Sequence, residues 1–201
     1  MQVFNAIPLT GFLFILVFLI IRIGFLKRKG IVVSKDSEKS KKSSTLLLYP
    51  GFAIILLVWL FEIIQPVFQL SFSVLPEVLS RQLSESVLLK FTGVILILLS
   101  LVLWTITLLH FKNSLRFGLD ENNQDELITT GIFSLTRNPF FLSLDLYFVG
   151  VALILPSLFF ISFAVLAIIN IHFFILKEEK FLWKVYGDEY QKYMKRVRRY
   201  F

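Results

Sequence analysis

Two stretches of this chain carry side chains that merely crossing an apolar medium would not require. The first reads Asp125-Glu126-Leu127-Ile128-Thr129-Thr130-Gly131-Ile132-Phe133-Ser134-Leu135-Thr136-Arg137-Asn138-Pro139-Phe140-Phe141. Gly131 permits a backbone turn that a side chain would block. Arg137-Asn138-Pro139 sets a guanidinium and an amide beside a proline suited to a helix's first turn. A guanidinium there can hold a carboxylate through two parallel bonds. The second stretch opens with Lys177-Glu178-Glu179-Lys180 and runs through Tyr186-Gly187-Asp188-Glu189-Tyr190 to Val197-Arg198-Arg199. If Glu178 and Arg137 face one space, the pair suits a small zwitterion better than an anionic nucleotide. Each stretch also has a plainer reading. Arg137 is an ordinary membrane-edge anchor, and Phe181, Leu182, Val185 and Tyr186 form an ordinary interfacial apolar face.

Three further groups bear on chemistry. Asp145 lies about 9 Å along a helix starting at Pro139, at ~1.5 Å per residue. An intramembrane carboxylate is a functional candidate by default, so Asp145 is either a substrate-orienting or base-like group or an interface residue. His172, about one turn before the inner edge, is either a substrate-binding residue or a packed neutral imidazole. Glu62 reads as interfacial, and His110 takes no role. Zero cysteines and only two histidines exclude disulfides, thiolate chemistry and a histidine-rich metal site.

The elements that must position these groups are membrane spans. The chain has 201 residues, 56% hydrophobic, 17% charged, with 23 phenylalanines and mean hydropathy +0.76, far more apolar surface than one small soluble core hides. A spanning helix needs about 20 apolar residues. Pro8–Leu26, Thr45–Leu70 and Phe91–Phe111 qualify, and 138–176 is long enough for two passes, divided at Pro156 into 140–155 and 157–176. The expectation is an all-α, multi-pass membrane protein of five spans, the last two a hairpin, followed by an amphipathic cytosolic tail. It forms one domain over 1–201, with three N-terminal spans in 1–110 and a core in 111–201. Of the 21 Lys and Arg, 19 fall in 22–45, 112–137 and 177–201, and only Arg81 and Lys90 fall opposite. That bias puts the N-terminus outside and the tail in the cytosol. The net charge of +7 then points to anionic head groups rather than nucleic acid.

The ordered set, Leu127 to Phe133, then Arg137-Asn138-Pro139-Phe140-Phe141, a two-helix hairpin, Glu178-Glu179, Gly187-Asp188-Glu189-Tyr190 and a Val-Arg-Arg ending, resembles the isoprenylcysteine carboxyl methyltransferase-like family of integral-membrane methyltransferases. That family is related to the phospholipid N-methyltransferases, and the resemblance covers roughly residues 110–201. It implies S-adenosylmethionine bound on the cytosolic side. The implied cofactor residues are Asp125, Glu126, Leu127, Ile128, Gly131, Phe133, Arg137, Asn138, Pro139, Phe140, Phe141 and Glu178. Arg137 neutralises the cofactor carboxylate, and Asp145 joins it as a candidate catalytic group. The acceptor is a lipophilic molecule entering from the bilayer, with no obligate protein partner. Three positions depart from the family pattern. Asn138 replaces a histidine and carries no proton at neutral pH, Ser143 replaces a small residue, and Phe174 stands where the prenylcysteine enzymes have a substrate-binding arginine.

Two other readings compete. A membrane sterol or enone reductase of related architecture would use NADPH. Against it, the loop 112–137 sets Asp120, Glu121, Asp125 and Glu126 against three cations, and none of the nine glycines forms a Gly-x-Gly pair. A non-catalytic membrane protein would need none of Gly131, Arg137 or Glu178.

Overall fold

The computed structural model describes residues 2–29, 43–111 and 127–200. They form seven α-helices: α1 (Gln2–Arg28), α2 (Ser43–Phe68), α3 (Glu77–Ser80), α4 (Val87–His110), α5 (Pro139–Ile154), α6 (Leu158–Tyr186) and α7 (Asp188–Arg196). A 3-10 turn, Gly131–Ser134, precedes α5. Among the described residues there is no strand, only an isolated bridge between Gln82 and Ser157.

Local chemistry sets the helix ends. Pro139 opens α5, where its missing N–H costs nothing. Pro156 lies between α5 and α6, and the Ser157 hydroxyl caps α6 by accepting from Phe160 N at 3.3 Å. Gly187, at φ +51°, ends α6 in a conformation that disfavours a side chain. The loop between α3 and α4 is fastened to the α5–α6 turn by Leu83 N donating to Pro156 O at 2.7 Å.

α1, α4 and α6 are long and apolar enough to cross a membrane. The apolar stretches Ile54–Phe68 and Pro139–Ile154 are shorter. At ~1.5 Å per residue the 16-residue α5 is about 24 Å long, less than the ~30 Å hydrocarbon core. Length therefore supports three spans directly. α6 has 29 residues, about 43 Å, longer than the ~30 Å hydrocarbon core, and its charged part starts at Lys177, after the expected end of the span at 176. Leu57, Ile95, Leu98, Val165, Leu166 and Phe173 are among many exposed apolar side chains. So large an exposed apolar surface marks contact with lipid.

The core centres on Trp59 of α2, whose ring meets Phe12, Tyr147, Phe148 and Phe163. α4 and α5 pack most closely. Cβ atoms added at Gly93 and Gly150 would stand 2.6 and 2.8 Å from each other's carbonyl oxygens, so only glycines allow this approach. Buried Ser100 donates to Ser143 O at 2.7 Å, and Tyr147 OH donates to Pro8 O at 2.6 Å, tying α5 to α4 and α1. This close packing fixes the N-terminal end of α5, which Arg137 immediately precedes.

Candidate functional site

The polar centre lies where the loop before α5, the C-terminal part of α6 and the segment after α7 meet. Gly131 starts the 3-10 turn at φ +64° and lies directly on the His110 ring, so any Cβ there would enter the imidazole. His110 is held in turn by Nδ1 against Ile106 O at 2.8 Å. The turn buries Phe133, whose carbonyl accepts from Tyr193 OH at 2.6 Å. Burial pushes the Tyr193 phenol up to about 12, which keeps it a neutral donor. Leu127 packs beside Tyr190, Tyr193 and Val197.

Arg137 is the hub. Its Nε and Nη2 donate to Glu179 Oε1 at 3.1 and 2.6 Å, and Nη1 donates to Val197 O at 2.6 Å and Met194 O at 3.2 Å. Arg199 takes the other carboxylate oxygen, with Nε and Nη2 at 3.1 and 2.7 Å from Glu179 Oε2. Backbone bonds complete the clasp. Arg137 N donates to Arg198 O at 3.0 Å, and Thr136 Oγ1 and Asn138 Nδ2 both donate to Arg199 O, at 3.0 and 3.2 Å. Asn138 thus serves as an amide donor, a task its charge-free side chain suits. The Arg137 and Glu179 side chains are only 9% and 8% exposed. Burial alone would raise the Glu179 carboxyl, but its bonds to Arg199 and Arg137 outweigh that and hold it below the usual range.

The acid that meets Arg137 is therefore Glu179, whereas the expected facing pair was Arg137 and Glu178. Helical phase explains the difference. Glu179 follows the fully buried Ile175 by four residues and precedes Leu182 and Tyr186, which pack against the tail, by three and seven. Glu178 follows the exposed Phe174 by four and sits partly buried beside the clasp. Burial, then the neighbouring Glu179 charge, pushes its carboxyl up to about 7. Extending the Leu182–Tyr186 stripe backwards would have singled out Glu179. Arg199 and Tyr193 had no comparable signal.

An aromatic wall lies at the same end of α4, α5 and α6. Phe133 meets Phe111 at 5.3 Å, Phe140 meets Trp104 at 4.7 Å and Phe141 at 5.4 Å, and Phe141 meets Phe174 at 5.4 Å. Trp104 Nε1 and Asp145 Oδ1 are buried polar atoms with no hydrogen-bond partner among the described residues. His172 Nδ1 lies 2.8 Å from Tyr200 OH, with the two rings stacked at 24°. Ile128 is partly buried and Pro139 buried. Asp125 and Glu126 lie outside the described residues. Among those described, no group of three or more His, Cys, Asp or Glu side chains is arranged for a metal.

Residues 88–189, just over half of the chain, match the family model described as phospholipid methyltransferase. The matched region contains Gly131, Arg137, Asp145, His172, Glu178 and Glu179, and stops short of Arg199 and Tyr200. A search of curated proteins finds no match.

Proposed function

This chain belongs to the phospholipid methyltransferase family of membrane methyltransferases, and on that premise we propose that it methylates a lipophilic acceptor held in the bilayer, using S-adenosylmethionine drawn from the cytosol. The family generally uses this donor. The positive-inside bias sets the orientation, with the clasp on the cytosolic side. When bound, the donor supplies an electrophilic methyl group on a sulfonium.

The observation that carries this reading is the clasp of Arg137 and Arg199 on Glu179, which joins the aromatic-rich loop before α5 to the end of α6 that bears Glu178. Aromatic faces attract a sulfonium cation, and Phe133, Phe140 and Phe141 provide them. Glu178 offers a carboxylate that a bound cation would hold ionised. Leu127, Ile128, Gly131, Asn138 and Pro139 complete the cofactor surface. Arg137 and Arg199 share Glu179, which offsets one of their two positive charges and occupies the guanidinium donors, so the clasp is poorly placed to take the several phosphate charges of NADPH, which disfavours a reductase. Arg137 acts by closing the tail over the loop and holding the donor-side residues in place. Positioning donor and acceptor in near-attack geometry is the main requirement of this displacement, and shielding them from water completes it.

The test is binding to purified protein in detergent. S-adenosylmethionine and its demethylated product S-adenosylhomocysteine should bind, and NADPH should not. Glu178→Gln should weaken the sulfonium form about tenfold or more, the equivalent of one lost charge-assisted contact, while leaving the neutral thioether nearly unaffected. Equal loss for both ligands, or none for either, would remove Glu178 from the site.

A further inference from the structure

The exposed side chains of α6 follow one stripe that changes character once. Val165, Ile169, Phe173 and Leu176 are all exposed, and their spacing of three or four residues puts them on one face. Phe160, Ala164, Ile175 and Glu179 are buried on the packed side of the helix. From 177 to 184 the exposed side chains are Lys177, Lys180, Trp183 and Lys184, while Glu178 and Glu179 are turned inward. Lys180 follows Leu176 by four residues and Trp183 follows Lys180 by three, so the cationic stretch continues the apolar stripe in phase. Lys177 and Lys180 form no ion pair among the described residues. Trp183 is 55% exposed, whereas Trp59 and Trp104 are 2% and 3% exposed.

Depth agrees with phase. Head groups add roughly 5–7 Å to each side of the hydrocarbon core. With the hydrocarbon edge at Leu176, Lys177 and Lys180 lie about 1.5 and about 6 Å beyond it along the helix, within the layer of lipid phosphates. Helical side chains lean back towards the N-terminus, so an exposed indole at 183 overhangs the turn that bears Lys180.

We propose that this stripe is a binding site for an anionic phospholipid. An acyl chain lies along Val165, Ile169, Phe173 and Leu176, Lys177 and Lys180 hold the phosphate, and the Trp183 ring covers the head group. An ammonium takes a phosphate as a point charge, and an amphipathic indole suits head-group depth. Charge makes the site selective: a zwitterionic lipid brings its own cation to the two lysines, which repel it. The site lies on the lipid side of α6 and stands independently of the methyltransferase reading.

The experiment mixes the purified full chain in detergent with equal amounts of phosphatidylglycerol and phosphatidylcholine. The lipid kept after exchange into lipid-free detergent is then identified by mass spectrometry of the intact complex. The wild type should keep phosphatidylglycerol in preference to phosphatidylcholine. Lys177→Gln and Lys180→Gln should each weaken retention about fivefold, the weight of one cation at an anionic surface. Phe173→Ala should weaken it as well, through the acyl chain. Lys192→Gln, Lys195→Gln removes two exposed cations of α7 that are off the stripe and should leave retention unchanged. Every variant alters an exposed position, and an unshifted melting temperature in lipid-free detergent confirms that each folds. Retention without head-group preference would overturn the site. Equal loss in the α7 double variant would do the same, since general charge would then suffice. So would displacement of the lipid by an equal concentration of inorganic phosphate, because the acyl stripe would then contribute nothing.

Discussion

At the scale of single residues, one acid decides the site's architecture and its neighbour its ligand chemistry. Glu179 holds two arginines, Arg137 in a nearly dry setting, and removing one partner of a buried pair typically costs about 3–5 kcal/mol because the other charge is stranded. Glu179→Ala should therefore lower the melting temperature of the detergent-solubilised protein and free the segment 197–200 to protease. Its folded carboxyl is held below the ordinary 4.5, so its stabilisation is in place above that value and is lost only as pH falls through the depressed one. Protease protection of the tail should accordingly persist at pH 5. Glu178 works in the opposite sense. Raised to about 7, it ionises as pH rises through neutrality, so affinity for S-adenosylmethionine should climb across pH 6–8 while affinity for the thioether stays flat. A sulfonium affinity that is level over that window would contradict the pairing. Gly131→Ala should destabilise by about 1–2 kcal/mol from the left-handed backbone alone, and more because its Cβ meets His110. Part of the excess should return in the Gly131→Ala, His110→Ala double variant.

At the scale of elements, α4 and α5 form the platform from which the loop and Arg137 are presented. Gly93 and Gly150 let their backbones touch, and overpacking such a contact costs about 1–3 kcal/mol or more. Gly150→Val should separate the helices, lower thermal stability and displace the clasp. Gly24→Ala, in a helix with nothing within 4 Å of the new methyl, should gain about 0.5–1 kcal/mol. Much of this level was legible in the sequence. Apolar runs gave α1, α2, α4, α5 and α6 but not the short α3, and Pro139, Pro156 and Gly187 marked helix ends because a missing N–H or a positive φ acts locally. The span count was less legible, because α5 is short for a bilayer and composition alone does not say whether a buried apolar helix crosses. The partner of Arg137 was legible only by phase. Two adjacent glutamates look alike by type, and it is Ile175 and Leu182 that set which one faces inward. Arg198 and Arg199 return to the loop, their carbonyls accepting from Arg137 N and from the Thr136 and Asn138 side chains, contacts across some sixty positions that no local pattern announces.

At the scale of the whole molecule, an exposed apolar surface, a basic face and one polar cluster divide the work. Lipid solvates the apolar helices, and the clasp joins the α5–α6 pair to the tail. The proposed function puts the meeting of a donor from the water side and an acceptor from the lipid at that clasp. The measurement that tests this most directly is transfer of label from methyl-labelled S-adenosylmethionine to chloroform-extractable lipid by the purified chain in liposomes. The account predicts label in the lipid fraction, with one S-adenosylhomocysteine formed per methyl transferred. A chain that binds neither donor nor thioether, and leaves every lipid unlabelled, would contradict it.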